Sequence, residues 1–146
     1  MKGYRDLSYY QRLKEMYNVH LMSPRTDSHE LIKACDAVFT ITGTTGWEGL
    51  LYGKPVIAFG PLCYGFAEGI YKCPEIGQLR FLIKKALTEF RPDREALVRL
   101  VASVLKTAHE GQWHSPLSTP GVLEPSNLQL IARAIEAEMN CVCSAR

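Results

Sequence analysis

A chain of 146 residues with net charge +2 fits one domain on the usual scale of about 100–200 residues, and its basic residues form no run of the kind that binds nucleic acid. Apolar residues at 47% can fill a buried core, yet no window approaches the ~18 consecutive apolar residues of a membrane span. The opening "MKGYRDLSYYQRLKEMY" also lacks the apolar stretch of a signal peptide.

In chain order, "SYYQRLKEMY" (8–17) predicts a helix capped by Ser8, with Tyr9, Leu13 and Met16 or Tyr17 at helical spacing. "NVHLMS" then suggests a strand around 19–22, ended by Pro24. Asp27 followed by Glu30 has the form of a capping box opening a helix over about 28–35. That placement would bring Asp27, Ser28 and His29 to the strand-end side of the sheet, with Asp27 as a cap. "DAVFTIT" is continuously apolar and β-branched, which suits a strand covered on both faces, as in a parallel sheet. "GWEGLLYG" reads as a short helix closed by Gly53, and Pro55 opens the buried strand "VIAFG".

Residues 61–77, rich in Gly, Pro and aromatics, read as a loop, and helices are expected at about 78–89, 94–109 and 127–139. Residues 110–126 form the linker to the last helix. The alternation of helix and strand predicts an α/β fold, a Rossmann-like parallel sheet of few strands with flanking helices. One domain, 1–146, incomplete at its amino-terminal end, is the expected organisation, with a sheet edge left for another chain or a further segment to cover.

Chemistry is sought where open α/β sheets collect ligands, at the carboxyl ends of strands. Thr42, Gly43, Thr44, Thr45 and Gly46 follow the strand "AVFTI" and open the short helix. Glycines allow close approach of backbone, threonines offer hydroxyls, and helix-opening N–H groups attract an anion such as a phosphate. The plainer reading is a tight strand-to-helix turn capped by Thr45. Glu48 either complements the helix dipole or accepts hydrogen bonds from a ligand's ribose or sugar hydroxyls. Tyr64, four residues past "VIAFG", either contacts a sugar or base over the same edge or is an ordinary loop aromatic.

"GKP" at 53–55 closes a helix and is no P-loop, GxGxxG is missing, and no nucleophile triad is recognisable. Cys35, Cys63, Cys73, Cys141 and Cys143 follow no CxxC spacing, so neither a zinc site nor a disulfide framework is expected, and reduced thiols fit a cytoplasmic protein. No metal and no cofactor are expected.

"VHLMSPRTDSHELIKACDAVFTITGTTGWEGLLYGKPVIAFGPLCY" resembles the carboxy-terminal nucleotide-sugar domain of GT-B-fold glycosyltransferases. Within these it is most similar to the bacterial capsule polysaccharide biosynthesis proteins, the group that contains Kdo transferases. The pattern covers about residues 17–64, and the helices downstream fit it loosely.

The resemblance implies half of a GT-B architecture and a CMP- or UDP-linked nucleotide-sugar donor. The donor phosphate would lie at Thr42–Gly46, with Glu48 on the donor. It also implies a glycan or glycolipid acceptor and a catalytic base in an amino-terminal half, supplied by a further domain or another chain. Peripheral membrane association would come through the full enzyme. Many relatives carry a His-Pro pair just upstream of this segment. This chain lacks it, so the isolated chain is expected to be inactive. A GT-B-fold nucleotide-sugar epimerase and a non-catalytic binding fragment are the alternative readings.

Overall fold

Two β-branched runs build the centre of the first of two compact units, Met1–Arg94 and Glu95–Arg146, in a computed structural model that describes residues 5–115 and 119–144. Strand β1 (Val38–Thr40) pairs in parallel with β2 (Val56–Ala58), and β2 pairs in parallel with β3 (Ile70–Lys72), in the order β1-β2-β3. The register sets Val38, Phe39 and Thr40 opposite Val56, Ile57 and Ala58, and these opposite Ile70, Tyr71 and Lys72. Pro55 stands just before β2, where its missing N–H costs nothing, and its carbonyl accepts the Val38 N–H at 2.9 Å.

Successive strand residues point to opposite faces, and that alternation decides which helix each meets. Val38 and Val56 face helix α3 (Thr45–Leu51): a Cβ placed on its Gly49 would lie 2.9 Å from Val38 Cγ2 and 3.3 Å from Val56 Cγ2. Ile57 faces the other way, into a cluster with Cys73, Tyr71 and, from helix α4 (Leu79–Glu89), Leu82, Ile83 and Ala86. The parallel sheet is thus flanked by helices on both faces, an α/β arrangement of the Rossmann-like kind. Val56 and Ile57 are fully buried, worth about 1.5–3 kcal/mol each.

Helix α3 ends as its sequence dictates. Gly53, at φ +66°, gives its N–H to Leu50, and Lys54 gives its own to Gly49, the paired bonds of a Schellman closure.

The amino-terminal elements differ from expectation in detail. Helix α1 (Leu7–Glu15) is capped by Asp6 in place of Ser8. Its carboxylate accepts the Tyr9 N–H and the Ser8 hydroxyl, and the Ser8 bond, then the Tyr9 bond, holds the Asp6 pKa below its ordinary value. Helix α2 (Ser28–Ala34) is capped by Asp27, which accepts the His29 N–H. Glu30 pairs with Lys33 at 2.6 Å and leaves the capping box incomplete.

The strand expected at 19–22 does not form. Val19 closes a turn onto Met16, Ser23 accepts the Thr26 N–H in a second turn, and Leu21 and Met22 between them are exposed and unpaired by any strand. The third strand is β3, inside the segment expected to be loop. The alternation is accordingly helix, helix, strand, helix, strand, strand, and residues 59–69 carry the chain from β2 to β3 without a helix. Among the described residues β1 has a strand neighbour on one side only.

Helix α5 (Arg94–Thr107, starting one residue before the second unit) and helix α6 (Pro125–Ser144) stand where helices were expected at 94–109 and 127–139, and α6 begins inside the segment read as linker, 110–126. Asn127 ties Gln112 and Val122 to α6: its buried amide donates to their carbonyls and accepts the Gln112 N–H at 2.7 Å. No helix among the described residues is long and apolar enough to cross a membrane.

Candidate functional site

The turn after β1 sits at the carboxyl edge of the sheet because α3 must begin there to lay Gly49 across Val38 and Val56. Thr42, Gly43, Thr44 and Thr45 are exposed, whereas Gly46 is buried and Glu48 half-buried. Gly43 donates its N–H to the Thr40 hydroxyl at 3.1 Å, which tightens the turn. The N-cap position belongs to Thr44, in helical backbone conformation with no side-chain cap, so Thr45 is the first helical residue and not the cap. The Thr44 hydroxyl instead approaches the Glu48 carboxylate at 3.4 Å, one helical turn on. Among the described residues, the backbone N–H groups of Thr44 and Thr45 donate to no protein acceptor.

Tyr64 comes down on this turn from the loop after β2. Its buried phenol donates to the Gly43 carbonyl, and its ring meets Trp47 edge-on, centroids 5.7 Å apart. A Cβ on Gly46 would lie 2.7 Å from the Tyr64 oxygen, 3.0 Å from Thr40 Cγ2 and 3.1 Å from Val56 Cγ1. The room that Gly46 leaves is therefore filled by the protein's own atoms. Burial pushes the Tyr64 pKa above its ordinary value against the opposing Trp47 backbone hydrogen bond, and the Cys63 and Glu48 charges add to the rise.

His29 lies elsewhere. Its Nδ1 is 3.4 Å from the Tyr52 hydroxyl, at the carboxyl end of α3, which is the end away from the turn. The expectation that Asp27, Ser28 and His29 share the strand-end side fails with the strand at 19–22, which would have carried α2 round to it. The structure therefore brings together Thr42–Gly46, Glu48 and Tyr64, and leaves His29 apart.

Beside the turn, at the ends of β2 and β3, an open cleft of about 460 Å3 is lined by Ala58, Phe59, Leu62, Ile70, Lys72 and Cys73 among others. Gly60 is the shared wall: a Cβ there would touch Thr42 Cγ2 at 2.9 Å. Reading 61–77 as loop missed Lys72. The signal was "GIYK", an aromatic and β-branched run ending in a cation.

With this geometry in place, the comparisons with known proteins give the class. The family model described as capsule polysaccharide biosynthesis protein matches residues 2–95, and the chain belongs to that family. The match takes in the whole sheet, the turn and the cleft.

Among its relatives is the lipid-A-disaccharide synthase of Azotobacter vinelandii, 36% identical over 90 residues, covering 57% of this chain and 24% of the relative. The capsule polysaccharide modification protein LipA of Neisseria meningitidis serogroup B is 30% identical over 99 residues, 67% of this chain and 13% of the relative. Protein FixF of Sinorhizobium fredii is 38% identical over 66 residues, 45% of this chain and 16% of the relative. The chain thus spans no more than 24% of any of these three proteins. No solved structure matches it.

Proposed function

We propose that this chain is the nucleotide-sugar-binding half of a GT-B-type glycosyltransferase that assembles surface polysaccharide or glycolipid in the cytoplasm, with the donor phosphate at the turn 42–46. The observation that carries the reading is the pair of exposed, unengaged N–H groups at Thr44 and Thr45, framed by threonine hydroxyls at a strand's carboxyl end. Glu48 complements them. An ionised carboxylate only accepts, so beside an anion it selects the hydroxyl donors of a ribose or sugar.

Membership of the capsule family supports this, as do relatives named for disaccharide synthesis and capsule modification. Sugar transfer places negative charge on the departing phosphate, and oriented N–H groups lower the barrier by meeting that charge without reorganising. The base that activates the acceptor belongs, in this reading, to the remaining half of the complete enzyme.

The test is a titration of the chain with CMP, UMP and UDP, followed by amide chemical shifts. Shifts at Thr44 and Thr45, weakened about tenfold in Thr44→Val, are expected for a charge-assisted contact. In a complete enzyme the same substitution keeps the N–H groups and removes one hydroxyl donor, and turnover is expected to fall by about 10²–10³ where that hydroxyl meets the departing phosphate. No shift at millimolar nucleotide would sink the reading.

A further inference from the structure

The cleft beside the turn has an unusual balance of polar groups. Among the described residues, Lys72 supplies the only charged side chain on its wall, and no carboxylate, hydroxyl or amide side chain joins it there. An ammonium offers three donors and no acceptor. Lys72 is exposed, and among the described residues no carboxylate lies within ion-pair distance of it. Gly60 and Leu62, also on the wall, donate their backbone N–H groups to no protein acceptor among the described residues. The volume, about 460 Å3, falls within the roughly 300–1,000 Å3 of small-molecule sites.

A lysine with no carboxylate beside it repels cations, and among the described residues the wall gives the hydroxyl hydrogens of a neutral sugar no carboxylate, hydroxyl or amide side chain to bond. It suits an anionic group. The cleft also adjoins the turn through two contacts. Gly60 packs on Thr42, and Gly65, the residue after the tyrosine bonded to Gly43, lies beside the lysine stem, a Cβ there being 3.5 Å from Lys72 Cε.

We propose that Lys72 is a second anion contact of the donor site, so that the preferred donor carries two anionic groups, one held at the turn and the other in the cleft. This rests on the reading of the turn given above. The second anion has two chemical sources: the β-phosphate of a nucleoside diphosphate, or the carboxylate of an acidic sugar on a nucleoside monophosphate.

Paired affinities decide between them and test the whole. The unmodified chain is titrated with UMP against UDP, and with CMP against CMP-N-acetylneuraminic acid. A preference for UDP over UMP assigns the cleft to a phosphate, and a preference within the CMP pair assigns it to a carboxylate. Lys72→Ala is expected to reduce that preference about tenfold, and Lys72→Arg to keep it, because both cations serve an anion.

No preference in the unmodified chain overturns the proposal, as does a preference that survives Lys72→Ala. If Thr44→Val still weakens every nucleotide in that case, the turn reading stands and this inference alone falls. An unmodified chain that binds no nucleotide overturns both.

Discussion

Thr44 and Glu48 lie one helical turn apart, and the 3.4 Å approach of hydroxyl to carboxylate is the contact that the phosphate proposed for this turn would have to replace. Tyr64 braces the same turn, its phenol holding the Gly43 carbonyl. Tyr64→Phe removes that bond and is expected to cost about 0.5–1.5 kcal/mol, read by urea denaturation. The pH dependence has a fixed sign. A phenol whose folded pKa is raised above its unfolded value contributes stability that is full below pH about 10 and lost as pH rises through the folded value. Tyr64→Phe should therefore flatten the alkaline decline. Some decline persists, because burial and the neighbouring Glu89 raise Tyr71 in the same way. Gly46 is a poor place to test ligand contact, because any side chain there strikes Tyr64, Thr40 and Val56 first.

At the scale of elements, the helix closed by Gly53 and the strands "VFT" and "VIA" were legible because apolar run, cap and glycine all agree locally. The misplacements share one cause. "VHLM" has strand character, but a strand needs a partner, and the turns at Met16 and Ser23 leave this one too short and unpaired. "IYK" lies among glycines and prolines that read as loop, yet β2 offers it a ladder, Val56 bonding Gly69 and Cys73 bonding Ala58. Pairing across the chain, not local propensity, decided both. The Tyr64–Gly43 bond was illegible for the same reason, being a contact between residues 21 apart. The α3 packing yields a direct test. Gly49→Ala puts a methyl 2.9 Å from Val38 Cγ2 and is expected to destabilise by about 1–3 kcal/mol, read as a lowered Tm. Gly77→Ala, with nothing within 4 Å of its Cβ, is the matched control and should change little.

At the scale of the molecule, the first unit leaves one side of β1 without a strand partner among the described residues. Phe39 is 46% exposed and stacks on Phe59, and Ile41 beyond it is 69% exposed. An unpaired strand edge bordered by apolar side chains invites another chain to add on, whereas a charge at that edge discourages it. Phe39→Lys and Ile41→Lys are accordingly expected to lower self-association of the isolated chain, measured by light scattering against concentration. Unchanged scattering would show that the edge is already protected. The helix-free crossover at 59–69 has a wider consequence. Tyr64, whose phenol is hooked on Gly43, and Gly65, which lies against the Lys72 stem, are neighbours in that one short tether, so a lengthened or shortened crossover would disturb the turn after β1 and the end of β3 together.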